Sequence, residues 1–166
     1  MCFIFLLALT VLLIPVVSAS ASLGIQANFP PLHLSPLHDR FQHDGLKIRG
    51  DVGWIIGVPA DGYGVILHTT NGGENWTRQG SPNTIPNVAL YDVRAVDACN
   101  AWAVGDANGN YAVILRTMDG GKTWIRCGSP GSVPDFGASG IGAVDSKIAW
   151  VVGSNGTIIH TVDGGK

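Results

Sequence analysis

Charge is scarce in this 166-residue chain: Asp, Glu, Lys and Arg together make up 13%, and the formal net charge is −2. No basic cluster occurs anywhere along it. That excludes the dense positive surface on which nucleic-acid binding depends. Glutamate is nearly missing, with Glu74 its single instance, so a paired-carboxylate hydrolase would have to be built from aspartates. Cysteine is limited to three residues. Cys2 falls in the leader, and Cys99 and Cys127 lack the spacing of a metal pair. They also occupy different places in the repeat described below, so two unpaired thiols are expected. No serine nucleophile elbow, phosphate loop or zinc spacing is present. The expectation is therefore no catalytic residue, no metal and no cofactor.

Turn formers, by contrast, are plentiful: 23 Gly and 9 Pro. With frequent short aliphatic runs, they suit an all-β protein with many tight connections. Residues 1–21 read as a signal peptide or N-terminal anchor, with an apolar run from Phe3 to Val17 and small residues at Ser18-Ala-Ser-Ala21. No Lys or Arg precedes Arg40, and Pro15 interrupts the run, which is short for a membrane span. Export is the expectation, with an uncleaved anchor as the alternative. The membrane is then met only through the leader. Residues 22–44 form a proline-rich linker. His33, His38 and His43 fall five apart there, a spacing that matches neither a helix face nor a strand face.

From residue 45 the chain repeats. Trp54, Trp102 and Trp150 stand 48 residues apart, as do Gly57, Gly105 and Gly153. A period in the forties made of short strands is the mark of a propeller. The middle unit shows the plan: strands at Tyr91–Val96, Ala101–Gly105, Tyr111–Thr117 and Lys122–Cys127, joined by tight turns. Four strands, each returning on the last, make one propeller blade. Units are placed at about 45–89, 90–138 and 139–166, the third ending before its fourth strand. A ring of at least four blades would need about 190 residues. The fold class is thus all-β, two and a half to three blades of an incomplete β-propeller ring. A fragment of a longer reading frame or a truncated gene product is expected; if the chain exists as it stands, it should be aggregation-prone or oligomeric through its exposed edges.

A turn motif recurs in register. Thr117-Met-Asp-Gly-Gly-Lys-Thr-Trp124 fits the Asp box, Ser/Thr-x-Asp-x-Gly-x-Thr-Trp, at every defined position. Its defined residues are Thr117, Asp119, Gly121, Thr123 and Trp124. Thr69, Asn71, Gly73 and Trp76 form a degenerate copy, and Thr161, Asp163 and Gly165 a shortened one. Their role is structural. The Asp accepts hydrogen bonds from its own turn, the glycines permit positive φ, and the Trp buries its ring between blades. Asn71 carries no charge, so its turn should be weaker. This turn faces away from the loops that join strands two and three, where propeller ligands bind. Candidate binding residues are therefore Asp61, Tyr63, Asp106, Asn108, Asn110 and Tyr111, since Tyr and Asn suit adaptable recognition. The sequons Asn75-Trp-Thr77 and Asn155-Gly-Thr157 are read as coincidental.

The runs Ala101-Trp-Ala-Val-Gly105, Val113 to Trp124 and Ala149 to Gly165 resemble the repeat of the photosystem II assembly and stability factor family. That resemblance covers about residues 46–166. It implies an exported, non-enzymatic seven-bladed propeller whose partners are newly made reaction-centre subunits, that is, membrane-protein subunits. Asp boxes also occur in sialidases, other glycosidases and sortilin-type receptors. The alternative is thus a fragment of a secreted sialidase-like glycoside hydrolase or carbohydrate-binding propeller. Arg49, Arg78, Arg94, Arg116 and Arg126 are the only arginines for a substrate-gripping cluster after the linker. Arg78 and Arg126 hold equivalent positions that diverge around a ring, so each arginine is expected as a solvated or blade-edge charge.

Overall fold

The computed structural model describes residues 46–166. The expectations for the leader, for residues 22–44 and for the three linker histidines lie outside the described residues. Among the described residues, eleven strands form three antiparallel sheets. The first holds β1 (Leu46–Arg49), β2 (Val52–Ala60), β3 (Tyr63–Thr69) and β4 (Thr77–Arg78). The second holds β5 (Leu90–Ala95), β6 (Ala101–Ala107), β7 (Ala112–Thr117) and β8 (Ile125–Arg126). The third holds β9 (Ala138–Ala143), β10 (Ala149–Gly153) and β11 (Ile158–Thr161). Within each sheet every strand pairs with its neighbour in sequence, the meander of a propeller blade. The fold is a partial β-propeller. No helix among the described residues is long and apolar enough to cross a membrane.

The burial pattern shows how the sheets stack. In β6, Ala101 to Gly105 are buried without interruption, because both faces of the middle sheet are covered. Ala101 and Ala103 point to a core shared with the first sheet, with Trp54, Ile56, Ile66 and Leu90. Trp102 and Val104 point the other way, to a core with Ile141, Ala149 and Val151. Side chains alternate between faces along a strand, so one strand feeds two cores. In β10 the alternation is plain: Ala149 and Val151 are buried, Trp150 and Val152 exposed.

The 48-residue interval is a register identity. Trp54 stands opposite His68, Trp102 opposite Arg116 and Trp150 opposite His160. The three tryptophans occupy one place in three sheets, but their exposures are 0%, 1% and 42%. The first two face the next sheet, and Trp150 faces outward. The repeated glycine has a steric cause. A Cβ on Gly105 would run into the Ala89 carbonyl oxygen, and one on Gly153 into that of Gly137. Both carbonyls belong to the segment that enters the innermost strand, and Asp106 and Ser154 donate their backbone N–H groups to them.

The fourth strand is shorter than the sequence suggests. Lys122–Cys127 yields only the two-residue β8, because the Thr117–Trp124 turn uses the preceding residues. Cys99 is disulfide-bonded, whereas Cys127 is a free, buried thiol. The expectation of two unpaired thiols therefore holds for Cys127 and fails for Cys99.

Candidate functional site: the loop end of the sheets

The two ends of each sheet do different work. At one end lie the Thr-x-Asp/Asn turns. Asp119 Oδ1 accepts from Thr117 Oγ1 at 2.8 Å and from the Thr123 N–H at 2.9 Å, and its Oδ2 accepts from Thr123 Oγ1 at 2.6 Å. Thr117 Oγ1 in turn accepts from the Gly121 N–H at 2.9 Å. Asn71 and Thr69 repeat the pattern without the last carboxylate bond. Asp163 and Thr161 repeat it as far as Lys166. Burial alone would raise the Asp119 carboxyl, but the bonds from Thr123 and Thr117 together hold it below its ordinary range. The Thr161 hydroxyl, followed by backbone N–H groups, does the same for Asp163. These carboxylates are spent on their own turns.

Each turn is also tied to the first hairpin of its sheet. Gly72 donates to the Asp51 carbonyl at 2.8 Å, Gly120 to Cys99 at 2.9 Å and Gly164 to Lys147 at 2.9 Å. The ring of Trp124 is buried between the first two sheets. Trp76 is half-buried against Ala60, Val65 and Leu67 on the outward face of the first sheet.

At the other end, the loops joining the second and third strands meet the connections between sheets. Gly64 donates to the Pro86 carbonyl at 2.8 Å and Ala112 to that of Pro134 at 3.0 Å. All six candidate binding residues lie here. Asp61 and Asn110 stand exposed at the loop tips with φ of 54° and 74°, a conformation that Asp and Asn tolerate better than most residues. Asp106 accepts from the Tyr91 hydroxyl at 2.8 Å. That bond, ahead of burial and of the charge itself, raises the Tyr91 pKa.

Arg78 and Arg126 stand on the edge strands β4 and β8, as the blade-edge expectation has it, but they organise these loops and are not merely solvated. The Arg126 guanidinium lies 3.6 Å from the Tyr111 ring centroid. It donates to the Asn108 carbonyl at 2.6 Å, the Tyr111 carbonyl at 3.1 Å and Asn108 Oδ1 at 3.3 Å. Arg78 stands 4.1 Å over Tyr63 and donates to the Ala60 and Tyr63 carbonyls at 3.0 and 3.1 Å. A planar fork stacked on an aromatic face is well suited to gripping several carbonyls at once. Arg116 instead reaches the Ser146 carbonyl of the third sheet at 2.8 Å. The structure thus gathers Asn108 and Tyr111 around Arg126 and Tyr63 around Arg78. Asp106 is held separately by Tyr91. The 48-residue spacing of the two arginines, matched by that of Tyr63 and Tyr111, was the available signal for the clamp.

Comparison with known proteins decides the lineage. The family described as photosynthesis system II assembly factor YCF48 matches residues 32–125. The chain belongs to this family. Among solved structures it is similar to YCF48 from Cyanidioschyzon merolae, with 28% identity and a TM-score of 0.53, over 69% of this chain and 34% of that one. It is also similar in fold to a YCF48 bound to D1 peptide, with 24% identity and a TM-score of 0.50, over 71% of this chain and 34% of that one. The chain thus spans about a third of the length of these structures. No curated protein matches it.

Proposed function

We propose that this chain is an exported, non-enzymatic binding scaffold that takes part in assembling photosystem II by holding a segment of a reaction-centre membrane subunit. The family match over residues 32–125 carries this reading. The D1 peptide named for one structure of similar fold gives the partner its chemistry: an extended polypeptide segment. The loop end supports the same role. It presents Tyr63, Asn108, Asn110 and Tyr111 on loops whose backbones are already fixed by Arg78 and Arg126. Preorganised loops lose less entropy on binding. Glu74 and the tightly held Asp119 and Asp163 sit on turns at the opposite end, away from that surface.

The test is a binding assay of the purified full chain against peptides tiled across D1. Binding of at least one peptide is expected, with affinity falling at least tenfold in Asn108→Ala and in Asn110→Ala. Failure of every D1 peptide to bind ends the assignment. Turnover of a fluorogenic sialoside would instead establish the glycosidase alternative.

A further inference from the structure

Three Asn-Gly pairs occur among the described residues: Asn71-Gly72, Asn108-Gly109 and Asn155-Gly156. In such a pair the main-chain nitrogen of the glycine can attack the asparagine side chain, because glycine puts no side chain of its own in the way. The structure treats the three pairs differently. Asn71 lies in the turn of the first sheet, where its Oδ1 accepts from Thr69 Oγ1 at 2.8 Å and from the Asn75 N–H at 3.0 Å. The attacking group, the Gly72 N–H, is committed to the Asp51 carbonyl at 2.8 Å. Both reacting groups are thus held by other partners. Asn108 stands exposed at the loop end of the second sheet. The Gly109 N–H has no hydrogen-bond partner among the described residues, and a Cβ placed on Gly109 would meet nothing within 4 Å. The nitrogen is therefore free, with open space around it. The Asn108 amide, by contrast, is gripped: its Oδ1 accepts from Arg126 Nη1 at 3.3 Å, and the main-chain carbonyl accepts from Nη2 at 2.6 Å. Positive charge sits beside the oxygen on which negative charge gathers during attack at Cγ. Asn155 is also exposed, but no cation holds its amide among the described residues.

We propose that Asn108 is a site of spontaneous deamidation and that Arg126 promotes it. The Gly109 nitrogen gives its proton to water and bonds to Asn108 Cγ. The Cγ–Nδ2 bond breaks, and Nδ2 takes a proton from water and leaves as ammonia. Water then opens the cyclic imide at either carbonyl, leaving aspartate or isoaspartate at position 108. Nothing is oxidised or reduced. The guanidinium beside Oδ1 stabilises the oxyanion of the tetrahedral intermediate, as preorganised donors do elsewhere. The aspartate form puts a carboxylate next to Arg126, a charge-assisted contact stronger than the amide's. The isoaspartate form adds a carbon to the main chain and turns the carbonyl that Nη2 grips into a free carboxylate. Either product adds a negative charge to the loop end of the second sheet. The inference rests on the turn geometry and does not depend on the function proposed above.

The experiment incubates the purified full chain at about pH 8, with and without urea, and follows each Asn-Gly pair by peptide mapping and mass spectrometry. An isoaspartate-specific methyltransferase identifies the rearranged product. In the native chain, conversion at Asn108 should be at least tenfold faster than at Asn71 and faster than at Asn155. In urea the three rates should converge, because the turn and the clamp are gone. Arg126→Gln, which removes the charge, should slow conversion at position 108 about threefold or more. Arg126→Lys, which keeps the charge but not the fork, should restore part of that loss; a merely structural role for Arg126 would leave the two variants alike. Equal native rates at Asn108 and Asn71, or a difference that persists in urea, overturn the proposal. An unchanged or faster rate in Arg126→Gln overturns the part assigned to Arg126. If that variant does not fold, the comparison of native and urea-treated wild type still decides whether the structure selects Asn108.

Discussion

The second and third sheets carry nearly the same sequence plan but live in different surroundings. In the second, every residue from Ala101 to Gly105 is buried, and Trp102 is enclosed at 1% exposure. In the third, Trp150 keeps the same register but is 42% exposed, stacked on His160 with ring centroids 4.7 Å apart. The energetic value of a propeller tryptophan is therefore set by the neighbouring sheet, and very little by its own strand.

The largest expected effect tests that statement directly. Trp102→Ala should cost about 3–5 kcal/mol, as truncation of an enclosed aromatic does, whereas Trp150→Ala should cost about 1 kcal/mol or less. Urea unfolding of both variants compares them, and equal losses would break the contrast. Next comes a pair that should not differ. Gly105→Ala and Gly153→Ala each drive a methyl into a backbone carbonyl. Each should lose about 1–3 kcal/mol by overpacking, because the crossing strand is present in both sheets. A tolerant Gly153 would show that the third sheet is looser throughout, and not just uncovered.

The turns sharpen the comparison on a smaller scale. Asp119→Asn should destabilise and Asn71→Asp stabilise, each by roughly 0.5–1 kcal/mol, the net worth of one hydrogen bond in an exposed setting. The pH dependence follows from the lowered Asp119 pKa. Its contribution is fully present above the ordinary carboxylate value of 3.8 and is lost as pH falls below it. Acid titration should show a smaller loss in Asp119→Asn than in the wild type, the remainder coming from Asp163 and Asp145, whose carboxyls are also held low. The smallest effect concerns Cys127. Burial pushes its thiol up to about 11, despite the opposing pull of Arg116. Thiolate-directed labelling at pH 8 should therefore be far slower in the native chain than in urea. The associated stability should persist up to about pH 9 and fall towards 11. Fast native labelling would show that the second interface opens readily.

Much of the fold was legible because it repeats. Identical spacing of Trp54, Trp102 and Trp150 gave the register, and the Thr-x-Asp/Asn turns gave the ends of the sheets. Hydrogen bonds within those turns are local, spanning two to four residues, so sequence alone was enough to specify them. The loop end was harder to read. The Arg126 to Asn108 contact spans 18 residues and depends on where a two-residue strand lands. An arginine in isolation looks solvated, and only the simultaneous repeat of Tyr63 and Tyr111 links it to a ring. The different fates of Trp102 and Trp150 could not be read from the tryptophans themselves, because their strands are near copies.

The clamps at Arg78 and Arg126 grip mainly main-chain carbonyls. A carbonyl is the same whatever residue carries it. The loops can therefore take other exposed side chains while the arginine and tyrosine beneath hold their shape. A sheet built this way can exchange the side chains at its loop tips without redesigning the frame that presents them.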